Sequence, residues 1–253
     1  MDNQEHYTAY NAQAIDSWVQ DGWEWGKPIS HEEFMQAQQG NWQVVLTPNI
    51  PVPKEWFGKL KGKRVLGLAS GGGQQMPVFA SLGAACTVFD LSDSQLESER
   101  MVAQREGYEI EVIKGDMTQP LPFEDATFDL IFHPVSNCYI REVLPVWREC
   151  FRVLKSGGAL LSGLDNGINF LFDDDGVCVK HALPYDSLAD PDWEEKVKTH
   201  NDSLQFSHPI QEQIGGQLKA GLMLSDVYED TNHVGPLKDF NVPCFFATRA
   251  VKP

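Results

Sequence analysis

The sequence is short of positive charge and of cysteine. Lysine and arginine number 20 against 36 aspartates and glutamates, a formal net charge of -16. So acidic a surface repels phosphate backbones and anionic lipids, which weighs against nucleic acid or a membrane as the main partner. Cys86, Cys138, Cys150, Cys178 and Cys244 are odd in number and widely spaced, with no C-x-x-C pair. Neither a disulfide framework nor a zinc ribbon is therefore indicated. The seven histidines are dispersed, and the DDDG stretch at 173–176 lacks the alternating ligands of a calcium loop, so no metal is expected. No run approaches the roughly 18 apolar residues of a membrane span. The opening MDNQEHYTAYNAQ lacks the basic and then apolar regions of a signal peptide. A cytoplasmic protein is expected.

What is present is an alternation of short apolar runs and amphipathic segments. Runs at 64–69 (RVLGLA), 86–91 (CTVFDL), 109–114 (EIEVIK), 128–132 (FDLIF) and 159–164 (ALLSGL) read as strands. Between them, 74–82 reads as a helix with Pro77 in its first turn. A second helix starts at the N-cap Ser92, with Gln95 completing a capping box, and ends at Gly107. Val143, Trp147, Phe151 and Leu154 mark one face of a third, closed by Ser156-Gly157-Gly158, and Ile210, Ile214 and Leu218 one face of a fourth. Runs at 224–230 and 245–251 suggest two last strands. This pattern is that of a doubly wound α/β sheet. Residues 1–60, rich in Trp and Phe, stand outside it as an N-terminal extension or lid, and 61–253 form the main domain. Within that domain, 166–206 form a long acidic insertion, read as a cap.

The stretch GLASGGGQQM, from Gly67 to Met76, turns from the first strand into a helix. Such a turn lets backbone approach a ligand closely. It is not a phosphate-cradling P-loop, because G-x-x-x-x-G-K-[ST] is absent. Gly71 and Gly73 supply two glycines of a dinucleotide fingerprint, but Met76 stands where the third small residue belongs. Asp90 closes the second strand about 20 residues on, where a carboxylate reaches ribose hydroxyls, and Asp116 closes the third. Two acids at C-terminal strand ends beside a glycine turn suggest a nucleoside without a pyrophosphate. Ser70 is not in G-x-S-x-G, so a hydrolase elbow is unsupported.

With VLGLASGGG, VFDLS, GDMTQPLPFEDATFDLIF and WRECFRVLKSGGALL, the sequence resembles the class I S-adenosylmethionine-dependent methyltransferases, in their small-molecule branch. KAGLMLSDVYEDT and FFATRAV are similar to that family's sixth and seventh strands. The resemblance implies a Rossmann-like sheet of seven strands with the last antiparallel, and S-adenosyl-L-methionine as cofactor. It implies that Ala69, Ser70, Gly71 and Gly73 wrap the methionine part, Asp90 holds the ribose and Leu91 packs on the adenine. Asp116 and Met117 would flank that ring, and His133 would line the floor near the methyl. Two departures stand out: Gly67 where the family has an acid, and Ala69 where it has glycine.

Methyl transfer needs alignment and exclusion of water more than a catalytic triad. A base is needed only when the acceptor must lose a proton. In HPVSNCYIRE (133–142), His133 is the candidate base, and Asn137 and Tyr139 are candidates to orient a small-molecule acceptor. A hydrogen-bonded histidine, a turn asparagine and a packed tyrosine are the alternative. Among the N-terminal aromatics, most of which fit a packed core, Trp25 and Trp42 are candidates to face the site, and Tyr10 to reach the methionine end. The expected activity is methyl transfer to a small molecule. The competing readings are a non-catalytic or regulatory S-adenosylmethionine-binding protein and a nucleotide-cofactor oxidoreductase.

Overall fold

The computed structural model describes residues 7–173, 175, 176, 178–191, 193 and 202–253. Seven strands form one sheet in the order β3-β2-β1-β4-β5-β7-β6. They are β1 (Arg64–Leu68), β2 (Ala85–Asp90), β3 (Ile110–Lys114), β4 (Phe128–His133), β5 (Leu154–Asp165), β6 (Met223–Asp230) and β7 (Phe245–Val251). β1 to β5 pair in parallel, while β7 runs antiparallel to both β5 and β6. The interior strands read as near-continuous apolar runs because both faces are covered. Period-2 alternation divides them. Val65, Leu130, Phe132, Leu161 and Ala247 join one core cluster, and Leu66, Leu68, Ile131, Leu160 and Phe246 the other.

Helices α1 (Tyr7–Gln20), α2 (His31–Gln38), α3 (Gln75–Ser81), α4 (Asp93–Glu106) and α5 (Leu144–Val153) precede or link these strands. Three shorter or later ones follow: α6 (Ile168–Leu171), α7 (Ile210–Lys219) and α8 (Pro236–Asp239). Pro77 sits in the first turn of α3, as the sequence predicts. Ser92 caps α4 by accepting from the Gln95 N–H, and Gly107 ends that helix at φ 72°. The predicted capping box is only half formed, since the Ser92 N–H donates to Asp90 instead.

Two local expectations are corrected. The Ser156-Gly157-Gly158 triplet does not close α5. β5 starts at Leu154 and runs through the glycines, with a register shift between its pairings to Phe128 and Leu130. Of the apolar face drawn through Ile210, Ile214 and Leu218 on α7, Ile214 packs against the second core cluster, while Ile210 and Leu218 point outward, 65 % and 50 % exposed. The buried residues are Gln213, Gly216 and Gln217.

The N-terminal segment packs on one face of the sheet. Val44, Leu46, Val52, Trp56, Phe57 and Leu60 belong to the first core cluster. Leu46 crosses β5 so closely that a Cβ at Gly163 would lie 2.0 Å from its carbonyl oxygen. Upstream, Asp16 on α1 accepts from the Ser92 hydroxyl and the Ser94 N–H of α4. Asn11 donates to the carbonyls of Tyr139 and Leu204 and accepts from the Leu204 N–H. The expected cap at 166–206 lies partly outside the described residues. Its described part includes α6 and short bridges pairing Phe172 with Val179 and Asp186 with Phe206.

Candidate active site

Where the parallel strands end, a cavity of about 460 Å³ opens, within the usual range of small-molecule sites. It follows the strand tops in spatial order: Asp116 after β3, Asp90 on β2, Ala69 to Gly71 after β1, Pro134 to Ser136 after β4, Asp165 on β5 and Phe245 on β7. Its outer wall comes from Thr8, Asn11, Ile15, Trp23, Trp25, residues 45–48, Asn169, Phe170 and Gln205. No lysine, arginine or histidine lines it among the described residues.

The glycine turn is held by the end of β2 and by α4. The N–H groups of Gly71, Gly72 and Gly73 donate to Asp90 Oδ2, the Gln95 carbonyl and Glu99 Oε1, at 2.9, 3.0 and 2.8 Å. With those amides committed, the turn is no phosphate nest, and what it can offer a ligand is carbonyl oxygen. A cationic group fits such a turn and a pyrophosphate does not. Gly72 sits at φ 97°, and a Cβ there would also press on the Trp25 carbonyl at 3.1 Å, so the position favours glycine. Ala69 sits at φ 48°, in the left-handed region. The family's glycine suits that conformation, and alanine there costs about 1 kcal/mol.

Asp90 is 8 % exposed. Burial raises its pKa, opposed by hydrogen bonds from the Ser92 and Gly71 N–H groups. Asp116 accepts from the Thr118 N–H at 2.8 Å. Leu91, Met117 and Phe89 supply apolar wall between the two acids. Ser70, also in the wall, donates to Gln75 Oε1 at 3.1 Å.

Several sequence candidates are placed elsewhere. His133 is fully buried behind the cavity wall, with Nδ1 2.9 Å from the Leu68 carbonyl and its ring edge-on to Trp147. Burial lowers its pKa to about 4. Neutral and turned toward α5, it is in no position to take a proton from a ligand in the cavity, which corrects the expectation of a base and a floor residue. Trp42 packs edge-on against Phe57 under the Lys54 ammonium and does not line the cavity. Tyr10 donates to the Asp202 carbonyl and meets Trp193. Gly73 lies behind the turn, against α4. Asn137 is 1 % exposed and bonds to Asp165 and Gln213 rather than lining the cavity. Trp25 and Tyr139 do line it, and Trp25 stacks on His233 at 5.4 Å and 5°.

The principal residue missing from the sequence-based candidates is Asp165. It ends β5 as Asp90 ends β2, and the rule that selects acids at C-terminal strand ends selects it too. Gln205 and Asn11 carried no such signal, since only long-range packing brings them to the wall.

A methyltransferase-domain family model matches residues 66–162. The chain belongs to the class I S-adenosylmethionine-dependent methyltransferases. It is 44 % identical over 254 residues to the uncharacterized methyltransferase YbaJ of Bacillus subtilis, an alignment covering 96 % of this chain and 98 % of that protein. A solved S-adenosylmethionine-dependent methyltransferase from Mesorhizobium loti shares the fold, with a TM-score of 0.62 at 17 % identity over 79 % of this chain and 95 % of that one. Geranyl diphosphate methyltransferase, solved in complex with S-adenosylmethionine, does so with a TM-score of 0.57 at 16 % identity over 87 % and 86 %. The protein is an enzyme of this family and S-adenosylmethionine is its cofactor. Among the described residues no helix is long and apolar enough to cross a membrane.

Proposed function

We propose that the enzyme methylates a small-molecule acceptor inside this cavity, with the cofactor over β3, β2 and β1 and the acceptor over β4, β5 and β7. The observation that carries the reading is a single cavity running past the glycine turn, so that space remains beyond the cofactor end. That space disfavours a purely regulatory binder. Asp90 would hold the ribose hydroxyls and Asp116 the adenine amino group, with Leu91 and Met117 against the ring. Carbonyls of Ala69, Ser70 and Gly71 would meet the methionine ammonium. The residues fit the cofactor because the turn presents no free amide nest and the cavity no basic side chain.

The cofactor supplies an activated methyl group, and the protein's part is to align the acceptor and keep water out. Trp23 and Trp25 from the N-terminal segment and Phe170 from the insertion wall the cavity for that purpose. The net charge of -16 and five free cysteines support a cytoplasmic enzyme with a substrate other than nucleic acid.

Calorimetric titration with S-adenosylmethionine, S-adenosylhomocysteine and NAD tests this reading. Micromolar binding of the two adenosyl ligands, without NAD, is expected. Asp90→Ala should weaken that binding by about 1–3 kcal/mol, roughly five- to 150-fold. NAD binding in their place, or an Asp90→Ala variant that is folded and binds as tightly, would overturn the assignment.

A further inference from the structure

The half of the cavity over β4, β5 and β7 holds one buried carboxylate without a cation. Asp165 is 3 % exposed and lines the cavity. Its Oδ1 accepts from the Gly167 N–H at 2.6 Å and its Oδ2 from the Asn169 amide at 2.8 Å. Both donors are neutral, and no ion pair to Asp165 exists among the described residues. Its backbone is clamped as well. The Asp165 N–H donates to Asn137 Oδ1 at 3.1 Å, and its carbonyl accepts from Gln213 Nε2 at 2.8 Å. Asn137 and Gln213 are themselves joined at 3.0 Å. The carboxylate is therefore held rigidly at the cavity wall, with lone pairs left over after two bonds.

Burying a charge without a counter-charge is unfavourable, and a cation arriving from solution relieves it. Asp165 stands on β5, two strands along the sheet from the glycine turn after β1, in the half of the cavity assigned to the acceptor. An anionic acceptor would face Asp90, Asp116 and Asp165 with no basic side chain to hold it. The same cavity wall includes Phe245, the cross-strand partner of Asp165, and Phe170, which stacks on Tyr185, aromatic surface that suits an apolar body.

We infer that the acceptor is a small amine with an apolar body, whose nitrogen is anchored by Asp165. This rests on the methyl-transfer reading above. Asp165 takes a proton from the ammonium, which frees the nitrogen lone pair. That pair forms the new N–C bond as the methyl–sulfur bond breaks with its electrons on sulfur. The proton on Asp165 then leaves to water. Burial raises the Asp165 pKa to about 6, against the hydrogen bonds from Asn169 and Gly167, so the group is charged at neutral pH and is a stronger proton acceptor than an exposed aspartate. The titratable groups nearest it, Cys138, Tyr139 and Cys244, are all pushed up by burial and stay neutral.

The test uses the full chain with saturating S-adenosylhomocysteine, titrated with a phenylalkylamine series from benzylamine to 4-phenylbutylamine. The corresponding phenylalkanols and phenylalkanoates serve as neutral and anionic counterparts. At least one amine should bind tenfold or more tightly than its alcohol, with no binding of the acids. Asp165→Asn should remove the preference for the amine. An alcohol or acid that binds as well as the amine, no amine binding at millimolar concentration, or a preference that survives Asp165→Asn would overturn the proposal. The wild-type comparison decides alone if the variant does not fold. If S-adenosylhomocysteine itself fails to bind, the cofactor reading falls, and amine preference in the free protein still decides this one.

Discussion

Met76 and Glu99 settle how the glycine turn works without the acid usual in its family. A Cβ at Gly67 would lie 2.8 Å from the Met76 sulfur, so the methionine occupies the room a side chain would need. The ordering side chain comes instead from α4: Glu99 is fully buried and accepts from the Gly73 N–H. Burial raises its pKa from 4.5 to about 8. The folded state therefore binds this proton more tightly than the unfolded chain does. Its contribution to stability is full below 4.5 and is lost as pH rises through 8. Glu99→Gln should flatten the pH dependence of the thermal midpoint across that window, and an unchanged profile would rule out Glu99 as its source. At this scale Asp90 and Asp116 were legible, because strand ends are easily located. The environment of His133 was legible only in part. Alternation along β4 puts it on the face of Ile131, toward α5 and Trp147, and that argument outweighs its place in the loop.

At the scale of elements, sequence reading succeeded where burial is apolar and failed where it is polar. β1 to β4, α3 and α4 came out close to their limits because apolar runs and, for α4, caps mark them, whereas β5 starts five residues early and takes the glycines expected to close α5. On α7 periodicity selects Ile210, Ile214 and Leu218, of which only Ile214 reaches the core, and Trp147 sits so close that a Cβ at Gly216 would lie 2.6 Å from its Cδ1. That contact, with Gln213 donating to the Asp165 and His208 carbonyls, turns the polar face inward. The strap at 45–48 was equally hidden, since nothing local shows that it crosses β5. Gly163→Ala tests that crossing, because its Cβ would meet backbone that cannot rotate away. It should destabilise by about 1–3 kcal/mol, read as roughly 2–4 °C of thermal midpoint per kcal/mol. Cofactor affinity should fall with it, since the displaced strap lines the cavity. Wild-type stability and affinity together would show that the strap tolerates displacement.

Over the whole molecule, the α/β class and strand order follow from the alternation of elements, while the enclosure of the site does not. The wall depends on Asn11, whose partners Tyr139 and Leu204 lie 128 and 193 residues away in sequence. Bringing such distant segments together costs somewhat more loop-closure entropy than pairing β1 with β4, and it is repaid by side-chain bonds rather than by a strand ladder. Contacts of this kind open at lower free energy than core strands. Hydrogen exchange should thus find α1 exchanging faster than β1 and β4, and slowed selectively by saturating S-adenosylhomocysteine. Equal protection in both regions, unchanged by ligand, would contradict this. The Asn11 bridge then makes ligand capture and the final closure of the chain one linked equilibrium: each micromolar of affinity is measured net of the work of docking the first helix, and mutations far from the cavity along α1 act as affinity mutations.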